Sequence, residues 1–157
     1  MFQRINPYEI GFKTIRPLFA IGAYMRKTTV EQPLLHLITL RISQINGCAY
    51  CIDMHTKDLL AMGETAPRLL VLDAWRESGL YSERERAALE FAEAVNKVGP
   101  NGVPDAVFEQ AAAHFADEEL IDLVVSVIGT SSYNRINIAF CAEAGSYVPG
   151  QHDALVS

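Results

Sequence analysis

Apolar residues recur three and four positions apart along most of this chain, and no run alternates apolar with polar. That spacing is the period of an amphipathic helix, and a half-buried strand needs a period of two. Leu34, Leu37, Ile38, Arg41, Ile42 and Ile45 mark one stripe. Ala87, Ala88, Leu89, Phe91, Ala92 and Val95 mark a second, and Leu120, Leu123, Val124, Val127 and Ile128 a third. The expected class is all-α. The 157 residues suit one domain, 1–157, around a single sizeable core.

Capping signals set the helix limits. Asn6 before Pro7 opens a helix that should run to about Arg26, kinked at Pro17. Glu31-Gln32-Pro33 opens a second, which Asn46-Gly47 interrupts. A third starts around Cys48 and stops at Gly63. Thr65 caps a fourth, with Pro67 in its first turn and Leu69, Leu70, Leu72, Ala74 and Trp75 along it. Ser82 with Glu85 fits a capping box before a fifth, ending near Val98. Gly99 to Gly102 is a loop, and Pro104 opens a short helix ending near Phe115. Asp117 caps a long helix reaching about Ala144, and Gly145 to Ser157 reads as an irregular tail. The long helix is apolar around much of its circumference. At this chain length that favours a subunit interface, hence a homo-oligomer.

Composition removes several classes of partner. The net charge is −6 and no Lys/Arg run is long enough to track phosphates, which argues against nucleic acid. No apolar stretch reaches the ~18–20 residues of a membrane span. Pro17 to Met25, after Lys13 and Arg16, imitates a signal peptide but lacks a small-x-small cleavage site. Of three cysteines, Cys48 and Cys51 form a C-x-x-C pair and Cys141 stands alone. That usage reads as a cytoplasmic protein with a working dithiol, not a secreted disulfide framework.

Helix geometry gives the pair a third member. Cys48, Cys51 and His55 stand at i, i+3 and i+7, within about 60° of arc on one helix face. Asn46-Gly47 puts the cysteines in the first helical turn, where unpaired N–H groups and the dipole favour a thiolate. His55 can take or give a proton near neutral pH. Two other readings of these residues stay open. They can be half of a zinc site, with His36 as fourth ligand, or simply packed small hydrophobes.

The segment Ser43-Gln44-Ile45-Asn46-Gly47-Cys48-Ala49-Tyr50-Cys51-Ile52-Asp53-Met54-His55-Thr56-Lys57-Asp58 resembles the signature of AhpD-like alkylhydroperoxidases, within the carboxymuconolactone decarboxylase superfamily. The similarity continues through Gly63-Glu64-Thr65, Asp73 to Ser78, Ser82 to Ala88 and Tyr133 to Phe140. The resemblance implies a compact multi-helix fold, homo-oligomers (dimer, trimer or hexamer) and an alkylhydroperoxidase cycle. In that cycle Cys51 attacks a small hydroperoxide, Cys48 resolves the sulfenic acid into a disulfide, and a dithiol reductant restores the pair. No cofactor is expected. His55 matches the family's relay histidine. Two positions depart from the pattern. The family's glutamate twelve residues before the first cysteine is His36 here, and the histidine often found between the cysteines is Tyr50. Either His36 takes over as base, which is favoured because an imidazole accepts a proton at neutral pH, or the relay is altered and activity is weak. The other functions weighed are a lactone decarboxylase on the same fold and a non-enzymatic redox-sensing or metal-binding module.

The remaining residues read as structure. Trp75 belongs to the core, and Asn134 and Arg135 fix helix or subunit contacts. His114 and His152 read as surface residues, Cys141 as a packed hydrophobe on the last helix. The charges from Ser82 to Arg86 read as a solvated helix start.

Overall fold

The computed structural model describes residues 3–153. It is all-helical: α1 (Pro7–Ile10), α2 (Phe12–Met25), α3 (Gln32–Asn46), α4 (Ala49–Ala61), α5 (Ala66–Leu70), a 3₁₀ helix (Leu72–Glu77), α6 (Glu83–Asn96), α7 (Asp105–Ala112) and α8 (Asp117–Ala139). One isolated bridge, Gly99 to Gly102, is the only strand-like pairing among the described residues. No helix among them is long and apolar enough to cross a membrane.

The centre of the fold is α3, which packs against α4, α6 and α8. Leu34, Leu35, Ile38 and Ile42 join a core with Ala88, Phe91, Ala92, Phe115, Leu123 and Val127. Leu37 and Leu40 join a second core with Leu59, Leu72, Trp75 and Leu89. A helix that feeds two cores is apolar on two faces, so its polar residues fall on what remains. His36 and Arg41 occupy those positions. Truncating such a core leucine to alanine costs about 2–5 kcal/mol.

Several boundaries differ from the sequence expectation, each for a local reason. The first helix breaks at Gly11 rather than kinking at Pro17. The Gly11 N–H closes α1 onto the Pro7 carbonyl at 2.9 Å, while Pro17 sits inside α2 and is accommodated there. A Cβ at residue 11 would meet that carbonyl oxygen at 2.9 Å, so glycine is required. The fourth helix divides into α5 and the 3₁₀ helix, where Ala74 leaves helical dihedrals (φ −108°, ψ 30°). Thr65 holds the N-cap position of α5 without a side-chain bond.

Asp117 is the first residue of α8, not its cap; Ala116 is the cap, and its N–H donates to Glu119 Oε2 at 2.9 Å. The helix stops at Ala139, five residues short of the expected end. Cys141 therefore lies beyond the helix, half-buried, with φ +54°. The capping box of Ser82 and Glu85 is present as expected. The charges behind it are not merely solvated. Arg86 donates to the Trp75, Ser78 and Arg76 carbonyls, and Arg84 pairs with Glu31 and Glu119. Of the expected tail, residues 154–157 lie outside the described residues.

Candidate active site

Gly47 ends α3 in the left-handed region at φ +72°, a conformation that costs glycine nothing. The turn delivers Cys48 as the N-cap of α4, and Cys51 follows at the third helical position. The two form a disulfide with Cα atoms 5.3 Å apart, and both are 1% exposed. Cys48 Sγ accepts the Cys51 backbone N–H at 3.4 Å, as an N-cap side chain does. The predicted dithiol at a helix N-terminus is therefore present, in its oxidised form.

Cys51 lies on the wall of a cavity of about 650 Å³ between α2, α3, α4, α8 and the C-terminal segment. Phe19, Met25, Met54 and Tyr133 give it apolar walls, and His36, His55 and Asp58 stand on the same lining. Gly129 lets α2 approach α8 here: a Cβ would meet Ile21 Cγ2 at 2.9 Å. Cys48 lines a separate, shallower cavity with Cys141 and Glu143.

Two chains of groups converge on the lining. The first was not legible in the sequence. Asn137 on α8, 4% exposed, donates its Nδ2 to Cys51 Sγ at 3.3 Å. Tyr8 on α1 donates its hydroxyl to Asn137 Oδ1 at 2.9 Å, which fixes the amide with its N–H₂ toward sulfur. Burial, with Tyr50 nearby, pushes the Tyr8 hydroxyl up to about 12, so it stays a donor. The one available signal was a polar residue interrupting an apolar helix, three positions after Asn134. Asn134 itself bridges α8 to α3 through Asn46 at 2.9 Å and Ser43 at 3.1 Å, the structural role expected for it. Arg135 is exposed and donates to its own helix, at the Ser131 carbonyl.

The second chain is the histidine pair. His36 and His55 meet edge to face, ring centroids 5.7 Å apart. Their Nδ1 atoms are buried and have no hydrogen-bond partner among the described residues. Burial and the neighbouring His36 ring pull the His55 pKa down to about 3. Burial also lowers His36, against the opposing pull of Asp58. Both rings are therefore uncharged at neutral pH. A carboxylate at position 36 would have pushed His55 the other way. Asp58 stands one turn after His55 and accepts the Tyr147 hydroxyl at 2.8 Å.

The C-terminal segment closes one side. Lys57 Nζ donates to the carbonyls of Gly145 at 2.9 Å and Tyr147 at 3.0 Å. The Tyr50 hydroxyl and His152 Nε2 are 2.6 Å apart, and Arg26 pairs with Asp153 at 2.6 Å. His152 is thus a half-buried cavity residue, not the surface residue its tail position implied. His114 is exposed as expected.

The family model of the carboxymuconolactone decarboxylases matches residues 17–94. The uncharacterized protein YdfG of Bacillus subtilis is 38% identical over 146 residues, spanning 93% of this chain and 99% of YdfG. A crystal structure of an Agrobacterium tumefaciens protein of unknown function, provisionally placed in antioxidant defence as an AhpD, superposes with a TM-score of 0.88. It is 36% identical and covers 93% of this chain and 100% of that one. The debrominase Bmp8 superposes with a TM-score of 0.64 at 24% identity, over 80% of this chain and 66% of its own, a likeness of fold alone.

Proposed function

The chain belongs to the carboxymuconolactone decarboxylase family as an AhpD-like member, and we propose that it is a thiol-dependent peroxidase acting on small organic hydroperoxides. The observation that carries this reading is the Cys48–Cys51 disulfide, with Cys51 reaching an apolar cavity and receiving the Asn137 amide. A reduced Cys51 would be held as thiolate by the α4 N-terminus and by that amide. The thiolate attacks the terminal peroxide oxygen, the O–O bond breaks, and Cys51 becomes a sulfenic acid. The leaving alkoxide takes the proton that the thiol gave up and departs as an alcohol. The Cys48 thiol then displaces water from the sulfenic acid, giving the disulfide. A dithiol reductant attacks this disulfide and leaves as its own disulfide, returning both protons.

His55 serves this cycle as a proton conduit rather than a resting base, because a ring held down to about 3 does not store a proton at pH 7. His36 stands in the glutamate's place as the outer member of the pair. The lactone decarboxylase alternative needs no dithiol, and the intact pair weighs against it. The protein works in a reducing compartment such as the cytoplasm, as a homo-oligomer. Ile121 and Ile128, 62% and 51% exposed on one face of α8, support that assembly.

The test is stopped-flow consumption of cumene hydroperoxide with dithiothreitol. Cys51→Ser should slow turnover at least ~100-fold, and reduced Cys48→Ser freed of dithiothreitol should consume one peroxide per chain and stop at the sulfenic acid. Equal rates for wild type and Cys51→Ser would sink the proposal.

A further inference from the structure

We propose that His36, His55 and Asp58 form a binding site for one divalent first-row transition ion, separate from the sulfurs. One ligand atom from each residue lies within 4.8 Å of the other two. Three atoms so placed surround a point no more than about 2.8 Å from each, and bonds of ~2.0–2.2 Å need each to close by under about 1 Å. Two imidazoles and one carboxylate suit zinc, cobalt(II) or iron(II) rather than the all-oxygen preference of calcium or magnesium.

A second observation points the same way. The Nδ1 atoms of both histidines are buried without a hydrogen-bond partner among the described residues, although buried polar atoms in folded proteins are nearly always satisfied. Asp58 already carries outer support, since Tyr147 donates to its Oδ1 and leaves the other oxygen for an ion. The site also opens on the cavity, so solvent or a small anion can complete the coordination. The cysteines are not needed, because their sulfurs are joined to each other.

This inference goes beyond the peroxidase reading and opposes it in one respect. An ion on His36 and His55 occupies the nitrogens that would carry the proton, so it should inhibit turnover.

Zinc and cobalt(II) serve as probes on the full chain with the disulfide intact. Zinc is titrated against a chromophoric chelator and cobalt is followed by its visible spectrum. Expected are one ion per chain, at least ~10-fold weaker binding in His36→Ala and in Asp58→Asn, and ligand-field bands without sulfur charge transfer. Circular dichroism confirms that each variant is folded. Should His36→Ala not fold, Asp58→Asn alone decides. The doubly substituted Cys48→Ser, Cys51→Ser chain has no peroxidase cycle and should bind as wild type, which separates this outcome from failure of the function above. The proposal is overturned if wild type binds no ion, if Asp58→Asn binds undiminished, or if removing the cysteines abolishes binding.

Discussion

Two buried polar clusters hang from α3, five residues apart, and they are built on opposite rules. At Arg41 the buried carboxylate and the guanidinium are paired. Arg41 donates to Glu93 at 2.6 Å and also contacts Asp73, Trp75 Nε1 donates to Glu93 at 2.9 Å, and Arg76 closes on the second Glu93 oxygen at 2.9 Å. Burial raises the Glu93 pKa, but Trp75, Arg41 and Arg76 overrule it and hold the carboxyl below its usual range. At His36 the buried nitrogens are left open, beside a cavity. A satisfied cluster fixes how α3, α6 and the 3₁₀ helix meet. An unsatisfied one leaves two ring nitrogens with no hydrogen-bond partner among the described residues.

The largest expected effect breaks the first cluster. Glu93→Ala strands Arg41 and Trp75 and should cost about 3–5 kcal/mol in urea denaturation. His36→Leu removes an orphaned nitrogen from the second and should change stability by less than about 1 kcal/mol. Comparable losses in the two variants would erase the contrast.

The pH dependence of stability separates the clusters next. The His55 pKa is lowered from 6.5 to about 3, so below 6.5 the unfolded chain binds a proton the folded chain refuses. Stability therefore falls as pH drops from 6.5 toward 3, by up to a few kcal/mol, and is level on this account above 6.5. Glu93 has the opposite charge type and a lowered pKa. Its contribution is full above the unfolded carboxylate range and is lost only below about pH 4.5. Denaturation between pH 6.5 and 5 thus reads the lowered histidines, His55 foremost, with smaller contributions of the same sign from His36 and His152. His55→Gln should remove most of the slope in that interval, and His36→Glu should shrink it, both by deleting the His36 contribution and by raising the His55 pKa.

The smallest effect lies at sulfur. Asn137→Ala removes a donor to Cys51 and should raise the thiol pKa of the reduced protein by about 1–2 units, read from the pH dependence of alkylation. Tyr8→Phe only frees the amide to turn and should raise it by less than 1 unit, about half as much or less. A larger shift from Tyr8→Phe than from Asn137→Ala would mean that the amide is not the group acting on sulfur.

Local chemistry by itself determined much of this protein. Helical periodicity set the class, Asn46-Gly47 put the cysteines at the start of α4, and the i, i+4 spacing put His55 on the same cavity wall as Cys51, while Cys48, an N-cap outside the helical repeat, lines a different cavity. His36 was legible as a spare metal ligand and, through its family position, as a stand-in for a glutamate. Asp58 stood in plain view three residues after His55 but carried no signal without His36 opposite it. What the tertiary structure alone decided is the surroundings of Cys51. Asn137 lies 86 residues from it, and Tyr8 lies 129 residues from Asn137. His152 came in from the tail to meet Tyr50, and the charges behind Ser82 turned inward to tie helix ends together. A helical repeat relates side chains one or two turns apart. Which faces of α1, α4 and α8 meet depends on how all the side chains of two cores pack at once, and no spacing along the chain encodes that angle.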